Sequence, residues 1–541
     1  MYSLALRQLF LLSLSTIALA QVDIANEYAI FRHLLPYKEG RVLVKAQDLA
    51  SIPAILETAD TIGATLINTF PIVPGLSLFA YNEMIDVRDA INAFNQNDAV
   101  LYAEPDYYYY PALLNDPRFP EQWALENTGQ TGGVANADIN AQSMWAISEG
   151  SPSVAIGVID TGVDYKHPDL MPNIWRNPEE IPGNGIDDDN NGYIDDIHGI
   201  NAITHSGNPM DDHYHGTHVS GTIGAAGNNG MGVVGVAPQV KIAACKFLSS
   251  NGSGAISDAI SCLQYFLNLK TRAKNPANIV ATSNSWGGGP ASKAMFDAIK
   301  AHEEQGILFI AAAGNSSLDN DSNNTFPANY DLPNVISVAA TDHNDHLASF
   351  SNYGLRTVHV AAPGVQILST TPNANYGSLS GTSMAAPHVS GLVAVLKAQY
   401  PSYDYKKLAN LILAGGTPLP SLSGKTISGR RIKGADSAGV GSLTCSNQGI
   451  STRLKPNSSS VSVTLGQSIF LSTKRINCES SLENLTVFSD ANESVILTDT
   501  GLSGDLTSDD GTQSLLWTPQ RKGTYSLNFG NNDTVTVKVK G

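Results

Sequence analysis

The feature that most constrains the fold is an alternation of short apolar runs and helix-like segments between about residues 115 and 437. The runs are rich in Val, Ile and Ala and cover residues 154–160, 241–248, 278–283, 307–313, 334–341 and 357–361. Helix-like stretches lie at 215–226, 254–274, 292–305 and 383–399. Buried strands with intervening helices are typical of a parallel sheet covered on both faces. We therefore predict an α/β domain whose functional residues follow the carboxyl ends of its strands.

Two regions of different composition flank this domain. Residues 41–110 predict a β-α-β-β-α-β order, with strands near 41–46, 64–70, 75–81 and 100–107. Residues 440–541 are rich in Ser, Thr, Asn and Gly and contain alternating apolar runs, which indicates a small all-β, sandwich-like domain. A chain of 541 residues has room for these separate folding units.

The first 20 residues predict an export signal. Arg7 precedes an apolar run from Leu9 to Leu19, and Ala18-Leu19-Ala20 has the small-x-small form of a signal peptidase site. The alternative is a buried N-terminal helix. The run is too short to cross a membrane, and we find no other uninterrupted apolar stretch of spanning length. We therefore expect residues 1–20 to be removed, the mature chain to be secreted, and no membrane span.

The net charge limits the classes of binding partner, and the cysteine content indicates the redox state of the compartment. A net charge of −17 and a pI near 5.0 argue against nucleic acid as the main partner. The 4 cysteines suit an oxidising compartment. Their proximity in sequence suggests the pairs Cys245–Cys262 and Cys445–Cys478, although the first pair could also be free buried thiols.

One glycine-rich stretch delivers a serine to the start of a helix. It runs from Gly381 to Gly391, and an apolar helical pattern follows it. Because proline is best tolerated in the first turn, we expect the helix to begin just before Pro387, with Ser383 at its N-terminus. Free amides there stabilise a developing negative charge. The alternative is that Ser383 only caps the helix.

An acid and a histidine supply the partners that such a serine needs. Asp160 ends an apolar run, and His215 opens the segment His-Gly-Thr-His-Val-Ser-Gly. A buried carboxylate can orient an imidazole, which then takes the proton of a hydroxyl. The alternative is a zinc cluster of His213, His215 and His218, but no HExxH motif accompanies them.

With these motifs in the order Asp, His, Ser, the chain resembles the subtilisin-like serine proteases of the subtilase family (peptidase S8). The resemblance implies Asp160 as the orienting acid, His215 as the general base and Ser383 as the nucleophile. It also implies that Asn315, in Ala-Ala-Ala-Gly-Asn, helps to bind the oxyanion. The implied fold is a subtilisin-like parallel sheet at residues 113–439, with the β-rich domain at 440–541.

The same resemblance assigns residues 21–112, with a core at 41–110, to an inhibitory propeptide. We expect it to be α+β, ferredoxin-like and similar to the I9 inhibitors, and to be cut autocatalytically near residues 110–115. It would bind the chain's own cleft as an intramolecular inhibitor. We expect the mature protein to be a monomer that acts on protein or peptide substrates.

Substrate-binding residues follow from resemblance too. Ser285, Trp286 and Gly287 are similar to one wall of the family's cleft, and Thr325 is similar to a residue of the S1 region. An extended substrate would bond through backbone groups along a strand edge. The absence of an identifiable charged specificity residue favours uncharged P1 side chains.

An acidic insertion indicates calcium. Asp187, Asp189 and Asn191 alternate before Gly192, as in the first half of an EF-hand loop, and Asp195 follows. His198 stands where an EF-hand has Glu, so this is not an EF-hand. Oxygen ligands alone favour Ca²⁺, and the alternative is a solvated acidic loop.

A second calcium site rests on resemblance alone. Asp169 and Asn229 are similar to ligands of the family's stabilising calcium loop, and Asp116 is similar to a ligand of thermitase-like members.

Together these features predict a secreted, calcium-stabilised serine endopeptidase. One rival is a sedolisin-type acid peptidase, which uses Glu as its base; the His215 motif argues against it. Another is a non-enzymatic surface binder whose function lies in the C-terminal domain.

Overall fold

The structure, a computed structural model, describes residues 37–82, 84–107, 114–434, 449–478, 482–488, 494–502, 507–530 and 533–541. The chain divides into two compact units, Met1–Leu113 and Leu114–Gly541. The predicted export signal lies outside the described residues. Among the described helices, none has both the length and the apolar composition that a membrane span needs.

The first unit is a four-stranded antiparallel sheet with two α-helices. Its elements are β1 (Tyr37–Ala46), α1 (Ile52–Thr61), β2 (Thr65–Thr69), β3 (Leu76–Ala80), α2 (Val87–Asn95) and β4 (Val100–Tyr107). The spatial order β2–β3–β1–β4 is that of a ferredoxin-like fold, as predicted. Phe79 of β3 and Phe94 of α2 meet in the core at 5.2 Å between ring centroids.

The second unit is built on a nine-stranded sheet. The elements of this part are α3 (Ala141–Trp145), β5 (Gly150–Asp160), β6 (Gly199–Asn201), α4 (His215–Gly224), β7 (Gln239–Lys246), α5 (Ile256–Thr271), β8 (Ile279–Asn284), α6 (Lys293–Glu304), β9 (Leu308–Ala312), β10 (Val335–Thr341), β11 (Val360–Pro363), β12 (Ile367–Thr371), β13 (Asn375–Leu379), α7 (Thr382–Gln399), α8 (Tyr405–Ala414), β14 (Thr417–Pro418) and β15 (Arg430–Arg431). The strands of the sheet lie in the order β14–β15–β11–β10–β9–β8–β5–β7–β6. Neighbouring strands are parallel, except that β14 and β15 are antiparallel.

Helices cover both faces of this sheet, which confirms the predicted fold class. Alternate residues of β5 show the two faces: Ile156 and Val158 pack with α4 and α7, whereas Ala155 and Ile159 pack with α5 and α6. Gly157 lets α5 approach closely, since a Cβ there would lie 2.7 Å from the ring of Phe266. The strands are therefore apolar on both sides, which explains their continuous apolar runs.

The parallel register brings the carboxyl ends of β5, β8 and β9 to one edge. β5 ends at Asp160, and β8 and β9 pair so that Asn284 lies opposite Ala311. A disulfide between Cys245 and Cys262 joins β7 to α5 in the core, with 5.6 Å between Cα atoms. This pairing was predicted; Cys445, of the other predicted pair, lies outside the described residues.

The C-terminal part is a β-sandwich, as predicted. Its strands are β16 (Ile450–Lys455), β17 (Ser460–Thr464), β18 (Ile469–Ile476), β19 (Leu485–Phe488), β20 (Ser494–Leu497), β21 (Thr512–Trp517), β22 (Gly523–Asn528) and β23 (Thr534–Lys540). They form sheets of three and five strands, and one apolar core includes Leu471 and Trp517 of the first sheet and Val487 and Val537 of the second.

Candidate active site

The acid and the histidine predicted from the sequence meet at the carboxyl edge of the sheet. Asp160 is the last residue of β5, and His215 is the first residue of α4. His215 Nδ1 donates to Asp160 Oδ1 at 2.8 Å, with the Asp160 side chain fully buried and that of His215 20% exposed. The proton on Nδ1 leaves Nε2 of the neutral imidazole as an acceptor.

The electrostatics favour protonation of His215. Burial alone would lower the pKa of His215, but the charges of Asp160 and Asp211 and the Asp160 hydrogen bond outweigh it, so its pKa is raised. Asp211 is itself fixed by Thr161 and Thr217, whose hydroxyls donate to it at 2.9 and 2.6 Å. Asp211 therefore both fixes the loop before α4 and helps to raise the pKa of His215.

The neighbouring histidines have structural environments. His218 Nε2 donates to the carbonyl of Ile367 at 2.9 Å, and burial lowers the pKa of His218 to about 4. His388 contacts the carbonyl of Met384 through Nδ1, and burial lowers its pKa to about 4 as well. His213 stacks on Tyr214. Within the described residues, none of these histidines belongs to a group that could hold a metal, which contradicts the zinc alternative.

Ser383 is the second residue of α7, at the helix N-terminus as predicted. The expectation that Pro387 lies in the first turn was wrong, because the helix begins at Thr382 and Pro387 lies within it. A proline there removes the donor for the carbonyl of residue 383, four positions earlier. That carbonyl instead accepts from Ser285 Oγ at 2.8 Å.

The hydroxyl of Ser383 also contacts Ser285. Ser383 Oγ donates to the carbonyl of Ser285 at 3.0 Å. Within residues 114–434, no hydrogen bond joins it to His215. Ser285 was expected only in the wall of the cleft, so this reciprocal contact was not predicted.

Asn315 lies beside the start of α7 with its carbonyl end fixed. Asn315 Oδ1 accepts from the Thr382 amide at 2.8 Å and from the Thr382 hydroxyl at 2.9 Å. The Gly314 amide in turn donates to the Thr382 hydroxyl at 3.2 Å. These bonds assign the oxygen of the Asn315 side chain to the helix, so the exposed end of that side chain is its donor group, Nδ2.

Two adjoining depressions flank this edge. A pocket of about 350 Å³ is lined by Asn315, Thr325, Ser383 and Gly287 among others, and all its lining residues within the described chain are uncharged. A cleft of about 750 Å³ runs past His215 and is lined largely by apolar groups, including Trp286. Trp286 contacts Phe247 edge-to-face at 4.9 Å between ring centroids. The predicted substrate residues thus all lie beside Ser383 or in the adjoining cleft.

A family model decides where this arrangement belongs. The model described as the subtilase family matches residues 151–423, which include the acid, the histidine, the serine and Asn315. The chain belongs to the subtilase family. Within residues 114–434, Asp160 ends a strand, His215 and Ser383 lie at the starts of helices, and Asn315 lies in the loop after β9.

Several curated relatives agree with this membership. The chain is 40% identical over 291 residues to "Subtilisin-like protease 1" of Plasmodium falciparum (isolate 3D7), covering 50% of this chain but only 41% of that relative. It is 34% identical to "Thermophilic serine proteinase" of Bacillus sp. (strain AK1), covering 67% of this chain and 79% of the relative. It is 32% identical to "Alkaline protease" of Shouchella clausii, covering 75% and 90%. Among solved structures, the chain is similar to "a cold adapted subtilisin-like serine proteinase" at 30% identity and a TM-score of 0.42, covering 53% of this chain and 91% of that one.

The acidic insertion of this subtilase forms a compact oxygen-rich group. Carboxylate oxygens of Glu180, Asp187 and Asp189 lie within 4.8 Å of one another. Glu180 was not predicted, because it precedes the acidic run by several residues. Its Oε1 accepts the amides of Asp188 and Asp189 at 2.8 and 3.1 Å, which orders the loop.

The other two predicted ligands of this insertion have different surroundings. Both carboxylate oxygens of Asp195 accept backbone amides, from Gly183 at 2.7 Å and Gly185 at 3.0 Å. The Asn191 side-chain oxygen accepts the Tyr193 amide at 2.9 Å. Asp195 therefore fixes the turn at residues 183–185 and does not belong to the group of three carboxylates.

The second predicted calcium set is also brought together. The Asn229 side chain donates to Asp169 Oδ1 at 2.6 Å, and the Asn229 amide donates to Asp116 at 3.3 Å. Asp169 is fully buried, and burial raises its pKa against the opposing bonds from Asn229 and Val233. Asp169 therefore bonds the side chain of Asn229, whereas Asp116 bonds its backbone amide.

Proposed function

We propose that this subtilase is a secreted serine endopeptidase that hydrolyses peptide bonds with Asp160, His215 and Ser383 through an acyl-enzyme. The observation that carries the proposal is the 2.8 Å bond between His215 Nδ1 and a fully buried Asp160, beside a serine in the first turn of a helix. A capping serine would not need an oriented imidazole at the same sheet edge.

Acylation begins when Ser383 Oγ leaves the Ser285 carbonyl and attacks the carbonyl carbon of the substrate. His215 Nε2 takes the hydroxyl proton, and Asp160 stabilises the imidazolium that forms. The raised pKa of His215 matches this role, because it reflects the stabilisation of the protonated ring by Asp160 and Asp211 against the cost of burial.

The negative charge develops on the former carbonyl oxygen. The Ser383 amide, in the first turn of α7, and Asn315 Nδ2 would both donate to it. The intermediate collapses as His215 returns its proton to the leaving amine. Water then attacks the ester with His215 as base, which releases the acid product and regenerates Ser383.

Specificity for uncharged P1 residues is supported by the pocket beside Ser383, whose lining residues are uncharged. A charged side chain would lose hydration there without gaining a partner. Gly287 and Gly289 are exposed and would offer backbone groups to an extended substrate. The Gly288 amide between them donates to the Phe326 carbonyl at 3.0 Å and so fixes this wall.

Calcium is the proposed stabilising cofactor. Glu180, Asp187 and Asp189 provide hard oxygen donors within 4.8 Å of one another, and Asp116, Asp169 and Asn229 would provide a second set. The first set fits a cation because three carboxylates repel one another at this distance, and the Arg272 guanidinium, 3.2 Å from Asp189, compensates only part of that charge. Bound Ca²⁺ would neutralise this charge and lock the loops, with no part in the chemistry.

Maturation is proposed to be autocatalytic. The ferredoxin-like unit, within residues 21–112, would act as inhibitor and folding assistant until the chain is cut near residues 110–115. The mature protein is proposed to act as a monomer on protein or peptide substrates.

The test compares the wild type with Ser383→Ala after expression with the full chain. Intact mass should show a wild-type product lacking about the first 112 residues, as the family's processing implies, and a variant that has lost only residues 1–20. The wild type should cleave peptides with uncharged P1 residues. Identical unprocessed masses for the two chains would contradict the proposal.

A further inference from the structure

Two hydrogen bonds of opposite direction link Ser285 to the proposed nucleophile. Ser285 follows β8 directly and is 3% exposed. Its hydroxyl donates to the Ser383 carbonyl at 2.8 Å, and the Ser383 hydroxyl donates to the Ser285 carbonyl at 3.0 Å. Two hydrogen bonds therefore connect the end of a central strand to the second residue of α7.

The carbonyl of Ser383 needs an outside donor because of a proline four residues later. In a regular helix the amide of residue 387 would donate to the carbonyl of residue 383. Pro387 lies inside the helix and has no amide hydrogen, and a proline ring clashes with the carbonyl four residues earlier. The contact between the two serines is partly buried, and a carbonyl without a donor is costly there, so the Ser285 hydroxyl completes the first turn.

We propose that Ser285 is a positioning residue for Ser383: its hydroxyl replaces the hydrogen bond that Pro387 cannot make and holds the first turn of α7 at the end of β8. The proposal rests on the proposed function, since it takes Ser383 as the nucleophile. The other side of the turn is held by Thr382 and Asn315. Losing the Ser285 bond would move both Ser383 Oγ and its amide, an oxyanion donor.

The test uses two variants of nearly equal shape, Ser285→Thr and Ser285→Val, of which only the first keeps a hydroxyl. The readout is the rate of labelling by a small fluorophosphonate, which does not need the extended cleft. Each labelling rate is divided by the amount of folded, processed chain. The same trace of wild-type chain is added to every variant, so that propeptide removal is equally complete in all of them. We expect Ser285→Val to react about 10- to 100-fold more slowly than Ser285→Thr, as a small misplacement of reacting groups predicts.

Two controls separate positioning from general destabilisation. Ser283 is buried on the same strand, and its hydroxyl has no hydrogen-bond partner within the described residues, so Ser283→Ala should leave the rate unchanged. Pro387→Ala restores an amide donor to the Ser383 carbonyl. In that background the effect of Ser285→Val should shrink by about 5-fold or more, as expected for two groups that serve one acceptor.

The kinetic signature is also specific. For a peptide substrate, Ser285→Val should lower kcat with little change in KM and leave the pH inflection in place, because the bond from Asp160 to His215 is untouched. Equal rates for Ser285→Val and Ser285→Thr, or an undiminished effect in the Pro387→Ala background, would overturn the positioning role alone. A folded, processed wild type that takes no label would refute the proposed function, and this role with it.

Discussion

The orientation of Asn315 leads to a quantitative prediction for the oxyanion. Its side-chain oxygen accepts two bonds from Thr382, at 2.8 and 2.9 Å, so the amide group can offer only Nδ2 to a substrate. Asn315→Ala removes that donor and leaves the acid and the histidine in place. Loss of one preorganised donor to an oxyanion costs about 10²–10³ in kcat, or about 2.7–4 kcal/mol. That range comes from this family's own best-known enzyme.

The assay measures kcat and KM separately on a peptide with an uncharged P1 residue. Because Nδ2 would bond the oxyanion more strongly than the ground-state carbonyl, Asn315→Ala should lower kcat and leave KM nearly unchanged. Asn315→Asp should be at least as slow, since it keeps an oxygen for Thr382 but puts a second oxygen where the donor was. A kcat within about 3-fold of the wild type, or a loss confined to KM, would refute this account of the oxyanion site.

Three other predictions test the base, the metal and the disulfide. The pKa of His215 is raised above 6.5 and the base must be neutral, so kcat/KM should rise with pH through an inflection above 6.5. Asp160→Asn should lower that inflection and reduce kcat by about 10⁴. A wild-type profile that peaks in acid would contradict the role of His215 as base. Calcium at about 100 times its Kd should stabilise the folded chain by about 2.7 kcal/mol in thermal unfolding, and Asp187→Asn should reduce this gain; a Tm that EDTA leaves unchanged would exclude the site. Replacing both Cys245 and Cys262 by Ala should reduce the free energy of urea unfolding by about 3 kcal/mol. This is the loss of chain entropy expected for a crosslink between residues 17 positions apart. An unchanged urea midpoint would show that the disulfide does not stabilise the fold.

The layered fold was predictable because burial on both faces leaves a direct mark on the sequence. Residues 154–159 and 307–313 are apolar at every position, and in the structure their alternate residues pack against different pairs of helices. Parallel strands also end at a common edge, so residues that follow separate runs could be expected to meet. Asp160 and Asn315 are such residues.

Other features depend on contacts between distant segments and left no local signal. Ser285 and Ser383 are 98 residues apart and bond each other in both directions. The Ser383 carbonyl needs this outside donor because α7 begins at Thr382, which places Pro387 inside the helix rather than in its first turn. Residues along most of α7 pack in the core beside the sheet, and such tertiary packing overrides a local rule about proline.

The acidic loop shows the same limit on a smaller scale. Spacing alone selected Asp187, Asp189, Asn191 and Asp195, but the loop turns Asp195 toward the amides of Gly183 and Gly185. Glu180 takes the third place in the carboxylate group from outside the run. Which carboxylates of a loop meet depends on the path of its backbone, and that requires coordinates.

The most direct test of the central claim, that His215 activates Ser383 for nucleophilic attack, is fluorophosphonate labelling followed by tandem mass spectrometry. In the processed wild-type chain, the label should map to Ser383, and His215→Ala should remove it while the chain stays folded. A label that maps to another residue, or equal labelling with and without the histidine, would contradict the account.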